Sequence, residues 1–205
     1  AMAAVLGELA TTDPNAAAQV ALSLNGSSKL DAVSAVATRW AQLDLPGALA
    51  WANSLTGAAE KDRALRGLAY KWTEVDPQAA AAFADSLPAG KRRNDLMSVI
   101  TTTWSRTDAT GALAWLEKLP ESSSKHSSMQ KAVDSLADQD PAMAAKWLAA
   151  LPSESAQSNL YDDIARSWAR SDPAAAIEWA KTLPSSGQAK ASRDIVRNIG
   201  PNDPA

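Results

Sequence analysis

The segment WARSDPAAAIEWAKTLP, residues 168–184, contains the pattern that decides the fold of this chain. Asp172 followed by Pro173 is typical of a helix start, because the Asp side chain accepts hydrogen bonds from unpaired amides and Pro needs no amide donor in the first turn. Trp168 lies four residues before Asp172, and Trp179 lies seven residues after it. Such spacings place side chains on one helical stripe. The segment therefore predicts one helix, a tight turn and a second helix.

This pattern recurs along the whole chain at intervals of 31 or 32 residues. We call its aspartates the cap aspartates, and they are Asp13, Asp44, Asp76, Asp108, Asp140, Asp172 and Asp203. Pro follows five of them directly, whereas Asp44 has Pro46 one place later and Asp108 has no Pro beside it. A fixed period of this length is the signature of tandem repeats of one supersecondary unit.

Apolar residues occupy fixed positions relative to the cap aspartates. All eight Trp residues lie either four residues before a cap aspartate or seven residues after one, namely Trp40, Trp72, Trp104 and Trp168, and Trp51, Trp115, Trp147 and Trp179. Ala always stands four residues after the first six cap aspartates, and Leu stands eleven residues after them. A small Ala lets two helices approach closely and a Trp fills the wider gap beside it. These residues therefore predict a packed core rather than a ligand pocket.

Each repeat is predicted to contain a helix A of about 15 residues before the cap aspartate and a helix B of about 11 residues after it. Neither helix buries its apolar stripe within one repeat, so neighbouring repeats must stack. The predicted fold is all-α, an α-α superhelix (solenoid) of about six two-helix repeats that forms a single repeat domain over residues 1–205. Both ends of the chain fall inside repeats, so we expect a segment of a longer array that could self-associate end to end.

The alternation of two short helices with a Trp-, Ala- and Pro-marked period resembles the tetratricopeptide-type α-solenoids. The pattern W-x3-D-P-x2-A-x2-W-A-x2-L-P, best seen from Trp168 to Pro184, is similar to tandem repeats of large, functionally unassigned bacterial proteins. The resemblance covers nearly the whole chain, but the period is 32 instead of the 34 residues of tetratricopeptide repeats, and the Gly-Tyr pair of their first helix is missing. It implies a right-handed superhelix that binds peptides or proteins on a concave face, and it assigns no binding residue.

Composition and charge narrow the range of partners. The 20 basic and 23 acidic residues give a net charge of −3 without a basic stripe, so nucleic acid is not an expected partner. No stretch reaches the roughly 20 apolar residues of a membrane span, and residues 1–9 lack the features of a signal peptide. We therefore expect no membrane insertion of this segment. The absence of Cys fits any compartment, and the localisation is left open.

The sequence offers few groups for catalysis or cofactor binding. There is one His and no Cys, and His126 stands at a Ser-rich helix start, where a solvated side chain is favoured over a Ser-His pair. The acidic pairs Asp138 with Asp140 and Asp162 with Asp163 lack the further ligands of a zinc or calcium site. We therefore predict a protein that is not an enzyme, with no catalytic residue, no metal and no cofactor.

The only basic run is Lys91, Arg92 and Arg93, which opens a helix A and opposes the dipole of that helix. Two interpretations stay open. The favoured one is a solvated helix start, and the other is contact with an acidic partner.

The positions left free to vary between repeats lie on helix A, ten and six residues before each cap aspartate. We call them the ladder residues: Ser34 and Thr38, Arg66 and Tyr70, Ser98 and Thr102, Gln130 and Asp134, Asp162 and Arg166, and Arg193 and Arg197. Each pair shares one helix face opposite the apolar stripe, so stacking would align the pairs across repeats. They form either a solvated surface or the lining of a groove. In a groove, Tyr70 offers an aromatic contact, and Arg193 with Arg197 would suit a carboxylate.

These patterns predict a non-enzymatic scaffold that binds a protein or peptide on its helix A face, because the repeated residues serve packing and the variable ones share one face. The alternative is a structural spacer or assembly segment of a larger bacterial surface or envelope protein. An enzyme is the least favoured class.

Overall fold

The computed structural model describes residues 2–151 and 160–199 of the 205-residue chain. Within these residues no strand occurs, and helices contain 85% of them, which confirms the predicted all-α class. The helices, numbered in chain order, are α1 (Met2–Thr12), α2 (Pro14–Ser23), α3 (Gly26–Leu43), α4 (Leu45–Ser54), α5 (Ala58–Val75), α6 (Pro77–Ser86), α7 (Lys91–Trp104), α8 (Ala109–Glu117), α9 (Ser123–Gln139), α10 (Pro141–Ala149), α11 (Tyr161–Ser171), α12 (Pro173–Thr182) and α13 (Ser185–Ile199). None of these helices is long and apolar enough to cross a membrane.

One aspartate joins helix A to helix B in most of these repeats. The side chain of each cap aspartate from Asp13 to Asp172 accepts a hydrogen bond, 2.8 to 3.0 Å long, from the backbone amide three residues later. All six have nearly the same backbone angles, with φ from −141° to −151° and ψ from 82° to 89°. Five also donate their own amide to the carbonyl four residues earlier, at 2.7 to 2.9 Å. The predicted helix start is confirmed at all six positions, while Asp203 lies outside the described residues.

The junction before Asp108 differs from the others. The helix A of this repeat, α7, ends at Trp104, and the turn residues 105–107 separate it from Asp108. The chain divides at this place into two compact units, Ala1–Trp104 and Ser105–Ala205, which we call unit 1 and unit 2. Asp108 is also the cap aspartate without a neighbouring Pro. An irregularity of the sequence pattern thus coincides with the boundary between the units.

Unit 1 is built from contacts between successive elements. The A helices α1, α3 and α5 each pack on their own helix B and on the next helix A, and each helix B packs on the helix A that follows it. The Ala residues four positions after the cap aspartates are fully buried where the helices meet, at Ala17, Ala48 and Ala80. Trp40 stacks on Trp51 with ring centroids 5.6 Å apart, and Trp72 lies 5.2 Å from Phe83. The predicted pairing of small and large residues therefore forms the core of this unit.

Unit 2 repeats this pattern around its own core. The helix A α9 packs on α8, α10 and α11, and α11 packs on α12 and α13. Trp168 and Trp179 lie 5.6 Å apart, and Tyr161 lies 6.5 Å from Trp179. Gly187 on α13 packs directly on the Tyr161 ring, since a Cβ placed on this glycine would come within 2.7 Å of it.

The eight Trp residues occupy the core with unequal depth. Trp40, Trp104 and Trp115 are buried, whereas the other five are partly buried and none is exposed. A large indole that packs between two helices leaves one edge near the surface. The Trp positions are thus packing sites, as the repeat pattern predicts.

Candidate functional site

The ladder residues of unit 1 lie beside the seam between successive A helices. Gly67 of α5 stands nine residues before its cap aspartate, and a Cβ on it would lie 2.8 Å from the Ser34 carbonyl oxygen of α3. The Thr38 hydroxyl lies 2.8 Å from the Ser34 carbonyl and 2.9 Å from the Gly67 carbonyl, so it bridges the two helices. The absence of a side chain at Gly67 therefore lets α3 and α5 approach backbone to backbone.

Three shallow clefts follow one another across the helix A face of unit 1. The first, of about 500 Å³, lies between α1 and α3, and the second, of about 460 Å³, lies between α3 and α5. These two share Ala35 and Arg39. The third, of about 250 Å³, lies further along α3 and α5 and shares Thr38 and Gln42 with the second. Because neighbouring clefts share lining residues, they adjoin one another in a row over three helices, and we call this row the path.

The side chains along this path contact neutral groups and also form ion pairs, such as Arg63 with Asp31 at 3.9 Å. Arg39 donates from Nε to the Thr11 hydroxyl of α1 and from a terminal nitrogen to Gln42 Oε1, each at 3.0 Å. Tyr70 lines the third cleft and is 47% exposed. The path therefore offers hydrogen-bonding groups and one exposed aromatic ring.

At the α5–α7 seam the ladder residue Arg66 is already paired. Its guanidinium lies 2.6 Å from the Asp95 carboxylate. Arg66 is thus half of an ion pair between two helices rather than a free cation. On α7 itself, the Thr102 hydroxyl donates to the Ser98 carbonyl at 2.8 Å.

The basic run at the start of α7 is paired within unit 1. Lys91 also binds Asp95, at 2.9 Å, Arg92 pairs with Asp62 of α5, and Arg93 lies 3.3 Å from Asp85 at the end of α6. These ion pairs explain a basic helix start that opposes the dipole, because the nearby carboxylates offset the unfavourable charge. Neither interpretation from the sequence, a solvated start or contact with an acidic partner, includes this pairing.

The ladder residues of unit 2 surround buried carboxylates. Gln130 of α9 donates to Asp163 of α11 at 3.0 Å, and Arg166 donates to the other oxygen of Asp163 at 3.1 Å. Asp163 is only 6% exposed. Burial, followed by the nearby charge of Asp163, raises the pKa of the Asp134 carboxyl to about 6.

The same arrangement occurs one helix further along the chain. Burial and then the charge of Asp194 on α13 raise the pKa of Asp162 above its ordinary value. Asp194 is also buried, and Arg197 lies 3.4 Å from it. The side chains of Arg193 and Arg197, the two arginines at this end of the ladder, are both exposed.

Two further repeat positions act at these helix contacts but are not among the predicted sites. One is the seam position nine residues before the cap aspartate, occupied by Ala4, Ala35, Gly67, Val99, Lys131, Asp163 and Asp194. The other, fifteen residues before it, is basic in four successive repeats, at Lys29, Lys61, Arg93 and Lys125. The recurrence of a basic residue at this second position is visible in the sequence alone.

Lys125 shows the role of that basic position. Its ammonium donates to the Glu117 and Leu119 carbonyls at the end of α8, at 3.2 and 2.8 Å, and to the Glu121 carboxylate at 2.7 Å. Lys61 donates in the same way to the Asn53 carbonyl at the end of α4, at 2.9 Å. A cation near the last carbonyls of a helix stabilises that end.

His126 and Asp138 are each held by contacts with other side chains or with backbone. One His126 ring nitrogen lies 2.8 Å from the Ser122 carbonyl and the other 3.4 Å from Glu121. Hydrogen bonding to Lys125, followed by the Lys125 charge, lowers the pKa of Glu121. Asp138 of α9 accepts hydrogen bonds from Arg170 and from the Ser167 hydroxyl of α11. In residues 2–151 and 160–199, no three His, Cys, Asp or Glu side chains group as a metal site would require.

A separate apolar cavity of about 470 Å³ lies on the helix B side of unit 2. Trp168, Trp179 and Tyr161 line it together with Lys146 on α10. It contains none of the ladder residues. It therefore gives an alternative working face against which the helix A clefts can be tested.

Comparison with protein-family models, with curated proteins and with solved structures finds no match to this chain.

Proposed function

We propose that this chain is a non-enzymatic scaffold, a right-handed solenoid of six two-helix repeats that binds an extended peptide or a protein segment on its helix A face. The observation that carries the proposal is the continuous path of three clefts over α1, α3 and α5. The solenoid is supported by packing between successive helices inside each unit, which is how one-dimensional repeat proteins are built.

The shape of the path favours a chain-like ligand. Pockets for small molecules are usually enclosed and bury most of the ligand surface, whereas the first two of these clefts, which are also the larger ones, are open to solvent. An extended peptide needs a long track with small depressions for alternate side chains. Ala3, Ala4 and Gly7 of α1 provide an apolar floor at one end, and Tyr70 provides a ring at the other.

The chemistry of the path favours a peptide over a polyanion. Its lining contains cations such as Arg39 and Arg63 but also the carboxylates of Glu8, Asp31 and Glu74. Mixed charge does not create the continuous positive field that draws in nucleic acid. Amide, hydroxyl and guanidinium groups are suited to the polar backbone and side chains of a peptide.

The test is site-specific photocrosslinking combined with paired variants. A photoreactive amino acid replaces Tyr70 in one protein and Met143, an exposed helix B residue of α10, in another. The proposal expects that peptides selected for binding from a random library crosslink at position 70 and not at position 143. The double variant Gln42→Ala with Tyr70→Ala should weaken binding at least tenfold, because Gln42 lines the second and third clefts and Tyr70 also lines the third.

The matched control is Val20→Ala on α2, which removes an exposed apolar side chain outside the clefts. Arg66→Glu is a poor probe, since it would place a second carboxylate beside Asp95 and disturb the α5–α7 seam. Binding that survives Gln42→Ala with Tyr70→Ala but is lost on changing Lys146 would assign the working face to the helix B cavity. A folded chain that selects no peptide would favour the structural spacer.

A further inference from the structure

The seam position of unit 2 holds a buried carboxylate twice in succession. Asp163 on α11 and Asp194 on α13 both stand nine residues before a cap aspartate and both are buried. Each acts through its charge on a ladder carboxylate of the preceding helix A, namely Asp134 on α9 and Asp162 on α11. At two consecutive seams, therefore, a carboxylate of one helix A interacts with a carboxylate of the next.

The α9–α11 seam only partly neutralises its carboxylates. Gln130 and Arg166 hold the two oxygens of Asp163. The charges that act on Asp134 are Asp163, Arg166 and Arg170 from α11 and Asp138 from α9 itself. The described parts of α8 and α10, which also pack on α9, add none. Asp134 is thus half-buried between two other carboxylates, with arginines on one side only.

The α11–α13 seam has the same form. The charges that act on Asp162 are Asp194 and Lys190 from α13, together with Asp163 and Arg166 from α11. None of them comes from the described residues of α9, α10 or α12. One Asp162 oxygen is fully enclosed and has no hydrogen-bond partner among the described residues. An enclosed carboxylate oxygen without a donor is costly when the group is ionised and much less so when it is protonated.

The direction of the resulting pH dependence follows from proton linkage. Burial and a facing carboxylate raise the pKa of Asp134 to about 6, above its value in an unfolded chain. The folded seam therefore binds more protons than the unfolded chain between those two pKa values. Its stability is greatest at low pH and is lost as the pH rises through the folded pKa. The raised pKa of Asp162 acts in the same direction.

We propose that the α9–α11 and α11–α13 seams form an acid-responsive joint, which tightens when Asp134 and Asp162 are protonated and loosens when they ionise. The α9–α11 seam responds between about pH 7 and about pH 5. Protonation removes the repulsion between Asp134 and Asp163 and between Asp162 and Asp194, and it lets the protonated carboxyl donate a hydrogen bond. The joint needs no partner, so it stands independently of the peptide-binding proposal.

The test is hydrogen exchange of the full chain at about pH 5 and pH 7, read by mass spectrometry and corrected for the intrinsic pH dependence of amide exchange. Amides of α9 and α11 should be protected severalfold more at the lower pH. With a pKa of about 6 for Asp134, full proton linkage gives about tenfold between these two pH values, and the half-exposed position of Asp134 reduces that ratio. Carbon-detected NMR of the Asp134 carboxyl should show titration near pH 6 in the wild-type chain.

The variant Asp134→Asn with Asp162→Asn should remove this response and should be as protected at pH 7 as the wild type is at pH 5. Asp31→Asn, which changes an ion-paired aspartate of α3, should leave it intact. So should His126→Gln, which removes the one imidazole of the chain. A response that persists in the double Asn variant, or a wild-type chain whose α9 and α11 protection is the same at both pH values, would overturn the proposal.

Discussion

In the α3–α5 seam of unit 1 the residue nine positions before the cap aspartate is Gly67, and in the α9–α11 seam of unit 2 it is Asp163. At the first seam the helices meet backbone to backbone, with the Thr38 hydroxyl between two carbonyls. At the second, Gln130 and Arg166 reach a buried carboxylate. One repeat position thus supports two kinds of contact, a close approach that depends on shape and a polar contact that depends on charge.

The fixed and the variable residues of this array have different roles in folding. The cap aspartates and the Trp and Ala positions are shared by both units and determine the two-helix repeat. The seam position is not shared, and it determines how each helix A meets the next one. The ladder residues therefore take part in stacking as well as facing solvent, because they lie directly beside that position.

The largest effect is expected for Trp115→Ala in unit 2. Trp115 is 8% exposed and belongs to the packing pattern common to both units, so its truncation should cost about 3–5 kcal/mol as other large core truncations do. Urea unfolding should show the loss, and hydrogen exchange should locate it in α8 to α10, because repeats couple mainly to their neighbours. An unchanged midpoint would mean that shared Trp positions do not hold the repeats together.

A smaller effect, of about 2 kcal/mol, is expected for Lys125→Met, because the carbonyls at the end of α8 lose a buried charged donor. Lys61→Met makes the same change at the corresponding position of unit 1, where the side chain is less buried and reaches one carbonyl. It should cost less than half as much. Thermal unfolding of the two variants measures the difference, and equal costs would show that burial does not distinguish the two units at this position.

The smallest effect, about 1 kcal/mol of destabilisation, is expected for Gly67→Ala. The added Cβ would come 2.8 Å from the Ser34 carbonyl and force α3 and α5 apart, although Ala is intrinsically the better helix former. Gly7→Ala on α1 is the matched control, since its Cβ would meet Ala35 at 4.0 Å, an ordinary contact, and should stabilise the chain slightly. If both variants gain stability in urea unfolding, the close approach at Gly67 is not required.

Much of the fold could be predicted from the sequence because its determinants are local. A cap aspartate accepts a hydrogen bond from an amide three residues away, and a helical stripe recurs within about one turn. The roles of Asp172 and Trp168 can therefore be predicted without tertiary information. The seam could not be predicted in this way. Whether Asp163 meets Gln130 depends on where two helices 33 residues apart cross, and the sequence does not state that crossing.

The candidate site was predictable only as a set of positions. The ladder identifies side chains on the outer part of helix A, but the ion pair of Arg66 with Asp95 and the burial around Asp134 arise from the neighbouring helix. The basic residue at the Lys125 position recurs in four successive repeats, so its recurrence is visible in the sequence. Its carbonyl partners have no side-chain signature, so its role as a helix cap required the structure.

The cap aspartate leaves the array with one rigid connection and one adjustable connection in most of its repeats. Where a single residue both ends helix A and starts helix B, an inserted residue would break two hydrogen bonds at once. The connections after helix B carry no such requirement, and those that the structure describes in full range from two residues between α2 and α3 to five residues between α8 and α9. Insertions and deletions during evolution should therefore accumulate at that end of the repeats, which is also where an engineered loop or tag would be tolerated best.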